Sequence, residues 1–445
     1  MARRTLFGAL GLSVVVLAVV AAGCGGGGGG KKGGGGSNAG VQALPSSSCK
    51  PVYYQGSGKA DFLIASDLPL QGSGRAQTVE MGKAIRFILK QHNFKAGKYK
   101  IAYQECDDST AQAGTWDSAK CTSNGRSYAN DSDVIGVIGT FNSGCAKLEI
   151  PIANRAPNGP LGMVSPANTY VGLTHSGPGT VSGEPGIYYP TGKRNYIRIV
   201  AADDFQGAAD AILAKQNLHL NKVYVLNDKQ TYGLGVATNF KNAFQKLGGK
   251  VAGFSAWDAK ASSYSSIASH IKSTGADGVF VGGLICENGG KVVKDLRSGL
   301  GPSVKIMGPD GFTPISAVVS GAGSAAEGMT VSVAGLPNEQ LGSGGKTFVS
   351  QFAATQGGKQ PDPYSVYAAQ SAEVLLTAIA NSDGKRASVS ANLFKTKVSN
   401  GILGNFQINA NGDTNANPVT IYQIKGGKQT TYKVITPPVS LVKSA

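Results

Sequence analysis

The sequence predicts an α/β fold made of two doubly wound parallel-sheet lobes. Three observations carry this expectation. Short apolar runs of strand length alternate with longer segments that bear a helical apolar stripe. The alternation comes in two series, separated by a Gly- and Pro-rich stretch, Gly172–Lys193. With 445 residues the chain is too long for one small core and suits a two-lobed protein with appendages. The right-handed crossover rule then places helices on both faces of each sheet.

The first 24 residues read as an export signal. Arg3 and Arg4 form a positive n-region and Leu6–Val20 an apolar core that is short for a spanning helix and lacks a cytoplasmic stop signal. Ala21-Ala22-Gly23-Cys24 closes it and resembles a bacterial lipobox, although Ala21 stands where Leu is more usual. The resemblance implies that Cys24 becomes the lipidated first residue and ties the protein to a membrane outside the cytoplasm. An ordinary signal peptide with an incidental cysteine is the alternative. Gly25–Gly36, interrupted only by Lys31 and Lys32, cannot bury a core, so residues 25–58 are expected to be a flexible tether.

In the first series, Ala60–Ser66 is a buried strand, Ala76–His92 a helix, Tyr99–Gln104 a strand and Thr110–Ala129 a helix. Val134–Ile138, Gly144–Asn154 and Leu161–Val164 follow as strand, helix and strand. The loops Thr140–Cys145 and Ser165–Tyr170 should lie side by side at the carboxyl edge, where open parallel sheets bind ligands. Both carry hydroxyls, an amide side chain and free backbone N–H groups, which suit an anion. Gly172–Lys193 has no periodicity and is expected to be a surface insertion or a lid.

The second series begins at Tyr196–Val200. Strands at Lys222–Leu226, Lys250–Ser255, Gly278–Gly282 and Val304–Met307 alternate with helices at Phe205–Gln216, Tyr232–Leu247, Ser263–Ser273 and Gly289–Arg297. A short helix near Pro314–Val319 completes it. After Glu327–Val333, helices are expected at Lys346–Gln356, Tyr364–Asn381 and Ser388–Val398. Strands near Gly404–Ile408 and Val419–Ile424 read as a hairpin across Asn411-Gly412.

Composition excludes several classes. The 42 Lys and Arg exceed the 26 Asp and Glu, but they are scattered and not interleaved with aromatics, so no nucleic-acid partner is expected. There is no G-x-S-x-G, P-loop or H-E-x-x-H, and Gly233-Leu234-Gly235 is only a fragment of a dinucleotide fingerprint. No C-x-x-C occurs, and His92, His175, His219 and His270 stand singly, so neither a metal nor a cofactor is expected. Past Cys24 there are five cysteines, Cys49, Cys106, Cys121, Cys145 and Cys286. Five cannot all pair; Cys106–Cys121 is the expected disulfide, with Cys106–Cys145 its rival. Cys145 and Cys286 fall at carboxyl ends of strands and read as structural or free thiols of a cleft wall, with no histidine placed to activate them.

Six motifs in order, SDLPLQGSGRAQTVEMG, GVIGTFNSGCA, MVSPANT, YVLNDKQTYGLG, VFVGGL and IMGPDGF, resemble those of the substrate-binding proteins of ABC importers. The likeness is to the Leu/Ile/Val-binding kind, with the type I periplasmic-binding fold, and covers about Ala60 to Tyr432. It implies a monomer of two lobes joined by three crossover segments, near Tyr196–Val200, Glu327–Val333 and Asn400–Leu403. One lobe would comprise residues 59–196 and 334–401, the other 197–333 and 402–435, leaving 436–445 loose. It implies capture of a small amino-acid-like solute, delivered to a membrane permease. A receptor that passes closure to a signalling partner is the alternative, and a hydrolase of small amides a more distant one.

The resemblance also implies a site. Ser143, with Asn142 before it, would hold the ligand carboxylate through a hydroxyl and backbone N–H groups. Thr169, with Ala167 and Asn168, would serve carboxylate and ammonium. Asp310 stands where the family has Glu and would neutralise the ammonium, and Tyr232 would close over the ligand. Leu284 replaces the family's aromatic residue, and Arg75 stands near an expected aromatic pocket wall. Arg75 and Glu287 would contact the ligand's side chain, pair with each other across the lobes, or, for Arg75, point to solvent.

Overall fold

A computed structural model describes residues 39–442. The export signal, Cys24 and most of the glycine run lie outside the described residues.

The first sheet contains β1 (Phe62–Leu68), β2 (Lys95–Ala96), β3 (Tyr99–Asp107), β4 (Val134–Gly139), β5 (Gly162–Ser165) and β6 (Tyr196–Arg198). Their order is β2-β3-β1-β4-β5-β6, parallel except for the β2–β3 pair. Alternate residues of β1 serve opposite faces, as the two-residue strand period requires. Ile64 packs with α1 (Arg75–Gln91), whereas Leu63 and Ala65 pack with α2 (Ser118–Asn130) and α3 (Ser143–Asn154). Asp117 starts α2 by accepting from the N–H groups of Ala119 and Lys120, each at 3.0 Å.

The second lobe contains α4 (Asp203–Ile212), β7 (Lys222–Asn227), α5 (Thr231–Lys246), β8 (Lys250–Ala256), α6 (Ser265–Ser273), β9 (Gly278–Gly282), α7 (Gly290–Leu300), β10 (Lys305–Gly308), α8 (Ile315–Ala322) and β11 (Thr330–Ala334). The chain then returns through α9 (Ser343–Thr355), α10 (Pro363–Ala380) and α11 (Arg386–Leu393). The helix α10 lies beside α1 on the first sheet; a Cβ at Gly136 would come within 2.6 Å of Leu375, so glycine there admits the helix. A small hairpin, β12 (Lys397–Gly401) and β13 (Gly404–Gln407), precedes β14 (Val419–Lys425), β15 (Lys428–Ile435) and a single turn, α12 (Val439–Val442).

The structure corrects several expectations. The second sheet, β15-β14-β11-β10-β9-β7-β8, is mixed rather than parallel, because β14 and β15 enter antiparallel. The hairpin partner of β14 is β15, across Gly426-Gly427 at φ 57° and 69°; Asn411-Gly412 lies in a connecting segment instead. Residues 39–58 are not tether: Tyr53 and Cys49 bridge to β3, covering the edge that two-residue β2 leaves open. Residues 436–442 are not loose, since Val442 is buried against α4 and α5. The expected disulfide does not form. Cys106 joins Cys49 on the edge strap, and Cys121 joins Cys145, because α2 and α3 pack side by side on one face of the sheet.

Three segments cross between the sheets. The first follows β6, at the end of the expected Tyr196–Val200; the second follows β11, just beyond the expected Glu327–Val333, most of which is β11 itself. The third follows β13, at residues 408–418, rather than at Asn400–Leu403, which forms the turn of the β12–β13 hairpin. The first and third are tied by Arg198, whose N–H donates to Gly412 O at 2.8 Å and whose Nε donates to Asp413 Oδ1 at 2.7 Å.

Candidate ligand-binding site

The two loops at the carboxyl edge of the first sheet lie side by side. Asn168 ties them: Nδ2 donates to Phe141 O at 2.9 Å and Oδ1 accepts from Tyr196 Oη at 3.2 Å. Its side chain is therefore committed to the scaffold. Ser165 Oγ accepts from Ala167 N at 3.1 Å and Asn168 N at 2.8 Å, which is turn chemistry. Arg198, fully buried, supports the loop from behind by donating to the carbonyls of Asn168 at 3.2 Å and Tyr170 at 2.8 Å.

Ser143 is the first residue of α3 rather than its cap; Asn142 holds the cap position without a capping bond. Ser143 Oγ accepts from Tyr170 N at 3.3 Å, which leaves its own proton to donate. Asn142 Oδ1 and Thr169 Oγ1 are buried without a partner. The opening N–H groups of α3 add donors, as any helix start does.

Asp310 follows β10 on the second lobe and is buried. Its two carboxylate oxygens accept from the hydroxyls of Tyr232, on α5, and Tyr364, on α10. Burial pushes the Asp310 carboxyl up, and the two tyrosine hydroxyls oppose the rise. Tyr232 Oη also accepts from Gly311 N at 2.9 Å, which fixes the turn that carries Asp310.

Asp203 opens α4 directly after the first crossover, and its N–H donates to Thr169 O at 2.8 Å. It is fully buried, and neither of its oxygens makes a hydrogen bond of good geometry, although the Thr169 side chain adjoins it. Burial holds this carboxyl well above the usual range; the Thr169 hydroxyl opposes the rise and Asp310 adds to it. Sequence reasoning missed Asp203 and Tyr364. The available signals were an Asp-Asp pair opening a helix after a crossover, and Asp362-Pro363 starting the helix that carries Tyr364.

Asn142, Ser143, Ala167, Tyr232, Leu284 and Asp310 line one cavity of about 40 Å³ between the lobes. Arg75, Asn168, Thr169 and Glu287 do not, and neither does Asp203. Arg75 is exposed, and Glu287 Oε1 accepts from Gln230 Nε2 at 3.2 Å, so the two form no pair. The lobes touch across the cavity, where Cys286 Sγ donates to Thr115 Oγ1 at 3.2 Å and Gln77 Nε2 to Thr313 Oγ1 at 3.2 Å. A wider groove of about 1270 Å³ runs between α9 and the β14–β15 hairpin and contains none of the expected site residues. Among the described residues, one carboxylate–cysteine cluster with donor atoms within 4.8 Å holds both Cys121 and Cys145 and the other holds Cys145 alone; the two are joined in a disulfide, so neither cluster offers a thiolate.

Two α/β lobes that meet over a small internal cavity with a few polar groups in a largely apolar lining, with three crossing segments as hinge, define a solute-binding protein that closes on its ligand. The chain belongs to the periplasmic binding protein family, whose model matches residues 64–429. It is 27% identical over 395 residues to the Leu/Ile/Val-binding protein homolog 2 of Brucella abortus, covering 86% of this chain and 96% of that protein. In fold it is similar to the leucine binding protein LivK of Thermotoga maritima, with a TM-score of 0.73, 24% identity, and 84% and 99% of the two chains covered. The isoleucine complex of LivJ from Streptococcus pneumoniae gives a TM-score of 0.71 at 21% identity, covering 84% and 99%. The family binds solutes and is not enzymatic.

Proposed function

We propose that this protein captures a zwitterionic amino acid in the interlobe cavity and delivers it to an ABC-type permease. The observation that carries the reading is a pair of neighbouring buried carboxyls, one of them without a hydrogen bond of good geometry. Asp203 and Asp310 place two buried carboxyls, one without a partner, beside Thr169. A buried carboxylate of this kind calls for a cation, and a ligand ammonium supplies one. Free donors stand opposite: the Ser143 hydroxyl and the N–H groups at the start of α3, which suit a carboxylate. The binding proteins named above for leucine and isoleucine support the same class of ligand.

In this reading Ser143, Thr169 N–H and Asn142 hold the carboxylate end. Ala167 O, Thr169 Oγ1, Asp310 and Asp203 hold the ammonium. Tyr232 closes over the ligand, Leu284 bounds the side chain, and Asn168 positions the loop. Residues 39–198 with 343–407 act as one lobe and 203–334 with 419–442 as the other. The lipobox-like Cys24 anchors a monomer outside the cytoplasm; among the described residues no helix is long and apolar enough to cross a membrane. A thermal-shift screen against amino acids tests the proposal, since ligand at a hundredfold its Kd stabilises by about 2.7 kcal/mol. Asp310→Ala should abolish the shift while leaving the circular dichroism unchanged. A wild-type shift in that variant would remove Asp310 from the site.

A further inference from the structure

The surface of the cavity is largely apolar, with Thr115, Leu284, Ile285 and Cys286 among its lining. One wall is the loop between β3 and α2. That loop is braced at several points. Trp116 packs on Gly144, where a Cβ would overlap the indole ring. Ser109 bridges to Trp116, and Asp117 caps α2. The Gly114 carbonyl is pressed against Gly72, where a Cβ would overlap it, so no gap remains between the two loops. Gln71, also on the wall, cannot swing away to make room. Its Nε2 donates to Asp107 Oδ2 at 2.9 Å and Ser109 O at 3.2 Å.

The opposite wall comes from the second lobe, where Leu284, Ile285 and Cys286 follow β9. Leu284 N donates to buried Asp228 Oδ2 at 2.9 Å, which holds the segment in place. Thr115 and Cys286 meet at 3.2 Å and close the end. The cavity measures about 40 Å³, which leaves little space beyond the ammonium, Cα and carboxylate common to all amino acids.

We propose that Thr115, Leu284 and Cys286 restrict the ligand to amino acids with small side chains, alanine and serine above all. Branched and aromatic side chains are excluded by the Thr115–Cys286 closure. The Thr115 hydroxyl and Cys286 thiol offer a partner to the hydroxyl of serine. The inference rests on the amino-acid reading above and narrows it.

Calorimetric titration of the full-length chain with glycine, alanine, serine, threonine, valine and leucine tests it. Alanine or serine should bind at least about tenfold more tightly than leucine, the discrimination that a methylene-sized restriction provides. Leucine binding as tightly as alanine, or more so, overturns the inference and leaves the amino-acid reading standing. No binding of any amino acid overturns that reading, and the inference with it. Leu284→Ala should raise the affinity for leucine relative to that for alanine at least about tenfold. Cys286→Ala, the gentler variant, should act in the same direction. Folded variants in which leucine gains nothing overturn the assignment of these residues.

Discussion

Tyr364 on α10 donates its hydroxyl to Oδ2 of Asp310, which belongs to the other lobe. The carboxylate expected to meet the ligand is thus also a point of contact between the lobes. Tyr364→Phe removes only that donor. Hydrogen bonds to charged groups contribute about 1.5–3 kcal/mol. The bond is present without ligand, so the ligand-free protein should melt lower, and ligand affinity should fall by about tenfold or more. Unaltered affinity in titration calorimetry would show that this contact has no part in closure.

Asp203 carries the cost of a buried carboxyl without a partner. Asp203→Asn relieves it in the ligand-free protein and withdraws a charge from the ammonium end. The variant should melt higher than wild type and bind ligand at least about tenfold more weakly, the trade expected at a functional site. A variant that melts higher and binds equally well would place Asp203 outside the site.

His175 lies between two carboxylates behind the binding loop, with Nδ1 3.0 Å from Asp413 Oδ2 and Nε2 3.0 Å from Asp204 Oδ2. Burial lowers its pKa, but the two acids outweigh burial and raise it to about 9. A raised pKa stabilises fully below the unfolded value, about 6.5, and that contribution is lost as pH rises through about 9. Melting temperature should therefore decline between about pH 7 and 9, and His175→Gln should flatten the decline. An equal slope in the variant would assign the pH dependence elsewhere.

Peptide mapping without reductant should recover Cys49 linked to Cys106 and Cys121 linked to Cys145, with Cys286 free. Replacing Cys121 and Cys145 by serine opens a loop with a separation of 24 residues and should destabilise the protein by about 3 kcal/mol. Recovery of a Cys106–Cys121 peptide would contradict the packing of α2 against α3.

Some of the site was legible in the chain and some was not. Ser143, Ala167, Tyr232 and Asp310 are adjacent to strand ends, and a parallel sheet brings such ends to one edge whatever the details of packing. Asp203 and Tyr364 escaped notice because neither ends a strand. One enters the site through a crossover and the other through a helix that returns late in the sequence. Arg75 was assigned by position alone, and its long side chain found water rather than the cavity.

Periodicity by itself determined the α/β class, the two series and the edge at which ligand groups gather, because side-chain spacing is a local property of strands and helices. Tertiary structure alone decided which cysteines pair, where the third crossover runs and which strand joins β14. Each of these depends on what lies beside a residue after long-range packing, and spacing along the chain does not encode that. The size of the cavity is of the same kind. It is set by a loop of one lobe meeting Cys286 of the other, a contact between residues 171 positions apart.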